Sequence, residues 1–513
     1  MADARRAAAG LLLALVLSAA GTAMPASGAL ASTDEVGASP PLSAALVPTH
    51  GALWGAWAYS GGASAVASFE STINRRLDIV HQYHAWNDTW PTSTEYGWAA
   101  GGRIIFGNIS ARTTNAGVLT WSAIAAGTYD AQIDAMASRL NSFGRYIFVS
   151  FDQEPESRLG GTGFAAADYI KASRRIHDRF DARGAANVVW VWNVAGSTSS
   201  TDLARYKSLY PGDGYVDWVA WDPYNWNTCI HPYGWRTFDQ TVAGFYNWLA
   251  GGHLTAGAAS KPYMLAEYGS VEGGAGAKGQ WFRGEGSTLP NRPRIKAVVY
   301  FNQNKDCNWP ISTSGTSLAG FGAAGQTCWV NRARPSAPTS VTASAGSGAA
   351  TVRWAAAKSV CPISVYTISA SPGGKQTTVS GKSLSASMTA LANGTDYTFA
   401  VRASSVNGAS GWSARSAAVT PLGTAQNPSP GSSPTARPGA SATPAPPSVN
   451  PSGPPAGVST PTGIEPRPVG AVTGGDSLAK WLESHVAAIP IALAGLMVFG
   501  LGIRLVTSRR RRG

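Results

Sequence analysis

The chain has 513 residues, enough for two or three domains, and its 19 Trp and 17 Tyr are high counts beside 13% charged residues. Its formal charge is +12, but residues 1–31 carry +1 of this and Arg504 with Arg509 to Arg512 carry +5. About +6 is left, with no basic run longer than a pair such as Arg174-Arg175, which excludes nucleic-acid binding as the organising function.

Residues 1–31 read as a secretory signal peptide. Arg5 and Arg6 form a basic start, Ala7 to Ala20 an apolar core, and Ala29-Leu30-Ala31 a small-residue cleavage site. Residues 32–49 form a small-residue lead-in that is expected to be flexible.

From residue 50 to 331, short apolar runs alternate with stretches of helical period. The strands are expected at Leu53 to Ala58, Ile79 to His84, Arg103 to Phe106, Tyr146 to Phe151, Val188 to Trp192, Trp218 to Trp221, Tyr263 to Ala266 and Ala297 to Phe301. Amphipathic stretches such as Asp130 to Phe143, Phe164 to Phe180 and Phe238 to Ala250 lie between them. This count and size fit an α/β fold, a (β/α)8 TIM barrel. A doubly wound open sheet is the rival, but no GxGxxG follows the first strand. The polar residues gather at the strand ends, where barrel enzymes build their sites: His84, Asn108, Gln153 and Glu154, Asn193, Asp222 and Tyr224, and Glu267.

Residues 338–421 change character. Short alternating runs separated by turn residues give the pattern of an all-β sandwich. Leu391 to Ala403 resembles the tyrosine-corner strand of a fibronectin type III domain, and Trp354 resembles that fold's core tryptophan. The resemblance implies a spacer or binding module. Residues 422–475 are a Pro/Ser/Thr-rich linker that cannot bury enough apolar surface to fold. An apolar run then begins at Val486, and residues 486–507 are expected to form a transmembrane helix, followed by an Arg-rich cytoplasmic tail at 508–513. The expected location is the cell membrane, single-pass, with the barrel outside and the C-terminus inside.

Cys229, Cys307, Cys328 and Cys361 form no CxxC pair, and export favours disulfides. Three pairings are open. Cys229 with Cys307 is favoured, because both lie just past strands that would flank the Glu267 strand. Cys328 with Cys361 would then join the two domains.

The chemistry centres on Arg145 to Glu156. A buried strand breaks there at Pro155, which has no N–H for a ladder, and exposes Glu154 at its carboxyl end. Tyr263 to Ala266 ends likewise in Glu267. On the strand count these follow strands four and seven, which face each other across a barrel mouth. Glycoside cleavage with retention needs two such carboxylates about 5 Å apart, one protonated and one ionised.

FVSFDQEPE around Glu154, WVAWDPYNW around Tyr224 and MLAEYGS around Glu267 resemble the retaining barrel glycosidases, and among them glycoside hydrolase family 26, the β-mannanase and β-glucanase group. The resemblance covers residues 50–331. It implies Glu154 as acid/base, Glu267 as nucleophile, Tyr224 as hydrogen-bond donor to Glu267, and Trp281 in AKGQWF as the floor of the reacting-sugar site. Gln153 departs from the usual His or Asn before the acid/base and leaves the sugar open among β-mannan, mixed-linkage β-glucan, xylan and an exopolysaccharide. Asp222 is either a substrate ligand or an arginine partner. His84 and Trp86 are candidates for the distal cleft, and Asn193 is a further substrate-binding candidate. Glu156 is expected to be solvent-exposed, and Asp152 to be structural. The expected partners are polysaccharide and, through the C-terminal helix, membrane. No cofactor or metal is expected, and the chain is expected to be a monomer. The rival function is an inactive surface glycan-binding or adhesion protein built on a barrel scaffold.

Overall fold

The computed structural model describes residues 45–58, 62–230 and 233–423. The expected signal peptide, most of the lead-in and of the linker, the apolar run at 486–507 and the arginine tail lie outside the described residues. Among the described residues no helix is long and apolar enough to cross a membrane.

Eight parallel strands close into a barrel: β1 Leu53–Trp57, β2 Ile79–His84, β3 Ile104–Ile109, β4 Ile147–Phe151, β5 Val188–Val194, β6 Trp218–Trp221, β7 Tyr263–Ser270 and β8 Ile295–Phe301. Each pairs with the next, β8 pairs with β1, and β6 meets β7 through Val219 opposite Tyr263, which closes the ring. The strands are buried on both faces, as parallel strands under a helical layer must be. Their period-two alternation sends Leu53, Ile79, Phe106, Phe148, Val191 and Trp218 into the barrel's interior.

Helices α1 Gly62–Thr72, α2 Ser93–Ala100, α3 Trp121–Ala125, α4 Asp130–Phe143, α5 Ala166–Ala182, α6 Ser200–Leu209, α7 Phe238–Ala250, α8 Ala256–Ser260, α9 Ala277–Thr288 and α10 Gly315–Gly325 cover the outside. Helix α4 matches its expected bounds, because Ile133, Met136, Ala137 and Leu140 repeat at helical spacing and Gly144 stops it in the left-handed conformation, φ 66°.

The last residues of the expected lead-in are ordered. Leu46 is 5% exposed inside the barrel's inner core, and the Ala45 carbonyl accepts from Trp218 Nε1 at 2.7 Å. Trp218 opens β6, so this segment closes the floor of the barrel, opposite the strand ends.

After the barrel comes the sandwich. Strands β9 Thr339–Gly346, β10 Ala349–Ala355 and β13 Ser385–Thr389 make one sheet. Strands β11 Val365–Ser371, β12 Gln376–Ser380 and β14 Thr398–Ser405 make the other, with a short Gly408–Ala409 edge. Trp354 and Tyr366 fill the space between the sheets, and Tyr397 accepts from the Ala392 N–H at 3.2 Å, the back-bond expected of the tyrosine corner.

Both expected disulfides form, Cys229–Cys307 and Cys328–Cys361. The second ties the barrel's end to the sandwich. Beside it the buried Asn407 amide donates to the carbonyls of Asn331 at 3.0 Å and Ala333 at 3.1 Å.

Candidate active site

The site grows from a strained turn. At the end of β4 the backbone of Asp152 (φ 47°) and Glu154 (φ 50°) enters the left-handed region, which costs a non-glycine residue about 1 kcal/mol or more. The surroundings hold the turn there. Asp152 accepts from Ala111 N–H at 3.1 Å and Trp121 Nε1 at 2.7 Å, and pairs with Arg158 at 3.0 Å. The Glu154 N–H donates to the Asn193 carbonyl on β5 at 3.1 Å. The Glu154 side chain is thereby set at the barrel mouth. Asp152 is thus a bracket for the turn.

Glu267 sits on β7, and both its oxygens are occupied. Tyr83 on β2 donates to Oε1 at 2.6 Å, and Tyr224, just past β6, donates to Oε2 at 2.7 Å. The Glu267 N–H donates to Asp222 Oδ1 at 2.8 Å, while Asn193 Nδ2 donates to Asp222 Oδ2 at 3.0 Å. Gly269 makes room for this: a Cβ there would stand 2.9 Å from the Tyr224 ring and 3.2 Å from Trp309.

Glu154 and Glu267 both line one cleft of about 560 Å³, with Asp222, Tyr224, Trp226 and Trp309 in its wall. Burial, then the Glu267 and Glu156 carboxylates, push the Glu154 carboxyl up to about 8. Burial also raises Glu267, but the two tyrosine hydroxyls and the Lys305 ammonium pull it back. Asp222 is raised by burial and by both glutamates, and its two N–H donors favour its anion. Glu154 has no side-chain hydrogen bond among the described residues. Burial therefore favours the proton on Glu154 and Asp222, and negative charge is best held by Glu267, whose two oxygens both accept from phenols. The arrangement pairs a carboxylic acid with a held carboxylate at one cavity.

Of the other residues singled out in the sequence, the mouth collects some and excludes others. Gln153 Oε1 accepts from Asn108 Nδ2, and Asn108 Oδ1 accepts from Ser150 at 2.7 Å. Gln153 and Asn193 thus belong to the polar collar around the strand ends. Asp222 has amide partners and, among the described residues, no arginine.

His84, Trp86 and Trp281 are not in the cleft wall. His84 points outward from β2, stacks on Trp90 at 4.3 Å and meets Glu95 of α2 at 2.9 Å. Trp86 packs against Tyr129 and Phe151 and donates to Gln132. Trp281 is 2% exposed on the inner face of α9, between Phe238 and Tyr268, with its Nε1 3.4 Å from Thr241 Oγ1. It packs helix to barrel instead of flooring a sugar site. A partly exposed ring in the cleft is Trp226, held edge-on by Trp309 at 5.0 Å. Glu156 is also placed differently from expectation. It is largely buried, accepts from the Ala195 N–H at 2.7 Å, and is pushed up to about 7 by burial. Pro155 begins a one-turn helix that swings it back under the β5 loop.

Sequence reasoning missed Tyr83. Its signal was the alternation along β2, where Ile79, His81 and Tyr83 share the inward face.

Residues 336–419 match the family model of the fibronectin type III domain. The chain is similar to part of Endoglucanase H of Acetivibrio thermocellus, 32% identical over 280 residues, which is 50% of this chain and 28% of that protein. It is also similar to β-1,3-xylanase TXYA of a Vibrio species, 31% identical over 98 residues, 19% of this chain and 21% of that one. The chain thus spans under a third of the length of the curated relatives it matches. Among solved structures it is similar to a GH26 β-mannanase from Bacteroides ovatus, at 14% identity and TM-score 0.41 over 55% of this chain and 90% of that one. The catalytic domain of a Bacillus GH26 endo-β-1,4-mannanase gives 16% identity and TM-score 0.40 over 55% and 87%. The chain joins an eight-stranded parallel (β/α)8 barrel to a domain that matches the fibronectin type III model.

Proposed function

We propose that the barrel is a retaining endo-β-glycanase acting outside a cell on a polysaccharide. One observation carries the reading. A cleft presents a glutamic acid kept neutral by burial, Glu154, and a glutamate held by two phenolic hydroxyls, Glu267. Glu154 protonates the glycosidic oxygen as that bond breaks, and Glu267 attacks the anomeric carbon from the other face. The oxocarbenium-like charge is met by the Glu267 carboxylate, which Tyr83 and Tyr224 aim. The product leaves, the Glu154 carboxylate takes a proton from water, and that water releases the sugar from Glu267 with the starting configuration. Asp222 fixes the Glu267 backbone, and Trp226 gives the sugar a flat face.

The apolar run at 486–507 is proposed as the anchor, with the sandwich and linker as spacer. Membrane fractionation of the full chain with and without that run checks this, and equal release of both would overturn it.

The catalytic test is hydrolysis of a panel of β-mannan, β-glucan and xylan. Glu267→Ala is expected to fold normally and lose all measurable turnover. Tight oligosaccharide binding by the parent, with no product from any polymer, would instead favour an inactive glycan-binding barrel.

A further inference from the structure

The cleft carries two cations that the proposed chemistry does not use. Arg236 lies between Tyr224 and α7, and Lys305 lies on a two-strand hairpin after β8, Asn304–Lys305 with Cys307–Asn308. Both line the cleft that Glu154 and Glu267 line. The disulfide Cys229–Cys307 ties the hairpin to the β6 loop, so the two cations stand on segments fixed to each other. The Arg236 N–H donates to Asn225 Oδ1 at 3.1 Å, and its guanidinium lies 5.4 Å above the exposed Tyr233 ring, which also lines the cleft. Arg236 makes no ion pair with a carboxylate among the described residues. Lys305 faces the reacting pair closely enough for its charge to favour ionisation of both Glu154 and Glu267.

We infer that Arg236, supported by Lys305, forms a carboxylate-binding site in the cleft, and that the substrate is a β-glycan bearing uronic acid or equivalent carboxylate groups. This rests on the glycosidase reading for its substrate but not for its binding. A guanidinium beside an exposed aromatic ring, with no carboxylate partner among the described residues, offers its N–H fork for bidentate contact with a carboxylate. The three acids of the reacting cluster do not compete for it. Glu267 and Asp222 have their donors, and burial keeps Glu154 neutral. Asp306, on the same hairpin, opposes a dense polyanion, so the fit is to spaced carboxylates along an otherwise neutral chain. The surplus of about +6 outside the termini would draw such a chain to the surface.

The test is binding by the full chain carrying Glu267→Ala, measured by retardation in affinity gels. The probes are mixed-linkage β-glucan and galactomannan, each neutral and partly oxidised to the uronate, and glucuronoxylan with its carboxyl-reduced counterpart. At low salt at least one anionic polymer should retard the protein about fivefold more than its neutral counterpart, the scale of one charge-assisted contact near a surface. Salt should shrink the difference. Adding Arg236→Gln should remove it, Arg236→Lys should restore part of it, and Lys305→Gln should reduce it, with thermal unfolding confirming the fold of each. Equal retardation by every matched pair, or a difference untouched by Arg236→Gln, would overturn the proposal. Hydrolysis by the parent chain is scored apart. Anionic retention without hydrolysis of any polymer sinks the glycosidase reading and leaves this site standing, and hydrolysis of neutral polymers without anionic preference does the reverse.

Discussion

Tyr83 reaches from β2 to donate its hydroxyl to Glu267 Oε1 at 2.6 Å, while Tyr224 occupies Oε2 at 2.7 Å. Two donors on one carboxylate favour its ionised form and fix its plane. Removing the Tyr83 hydroxyl as Tyr83→Phe costs a hydrogen bond to a charged group, about 1.5–3 kcal/mol, or roughly 10- to 100-fold in kcat/KM. The pKa of Glu267 rises when a donor to its anion is lost, so the acidic limb of the pH profile should move to higher pH. Stopped assays across pH check this, and an unmoved limb would argue against the clamp.

In the proposed mechanism Glu154 must be protonated to act as the acid, and its carboxyl is raised to about 8. Activity should therefore fall as pH rises through that value. Glu154→Gln should lose about 10²- to 10⁴-fold on polysaccharide and lose the alkaline limb. The loss should be much smaller on a dinitrophenyl glycoside, whose leaving group needs no proton. Equal losses on both substrates would remove Glu154 from the acid role.

Trp226 and Trp281 should separate cleanly. Trp226→Ala takes away a partly exposed ring of the cleft and should raise KM roughly tenfold, the worth of about 1.4 kcal/mol, with Tm little changed. Trp281→Ala opens a hole between α9 and the barrel and should cost about 3–5 kcal/mol of stability. Paired kinetics and thermal unfolding read the two effects.

Glu285 on α9 is fully buried beneath β7, where Tyr268 donates to it at 3.1 Å and burial raises its carboxyl to about 8. Its folded pKa lies above its unfolded one, so it adds stability that is complete below about pH 4.5 and is lost as pH rises towards 8. Glu285→Gln removes that titration. The Tm difference between variant and parent should shift in the variant's favour between pH 5 and pH 8, and a difference flat in pH would contradict it.

The barrel was legible because its strands are runs of β-branched and aromatic residues cut by turns. The expected limits of β2 and β6 match the structure, and β7 runs on from Ala266 through Glu267 to Ser270 because the Tyr224–Asn225 pair extends its ladder. Glu154, Asp222, Tyr224 and Glu267 were legible because strand ends at one rim converge. The errors are all of side-chain direction. His84 and Trp86 follow β2 closely in sequence, but His84 has the outward parity of the strand and Trp86 turns into the helical layer. Strand parity would have selected Tyr83 in their place. Trp281 was placed by likeness of its neighbourhood, whereas the helical phase of α9, which buries Trp281, Phe282 and Glu285, decides its direction. Glu156 was taken for a surface residue because one turn after a proline cannot be aimed from sequence.

The most direct measurement is trapping with 2-deoxy-2-fluoro glucosyl, mannosyl and xylosyl donors, followed by peptide mass spectrometry. One of these sugars should appear covalently bound to the peptide around Glu267, at the Glu267 side chain, and the adduct should be absent in Glu267→Ala. An adduct on another residue, or none from a protein that cleaves polysaccharide, would contradict a nucleophilic Glu267.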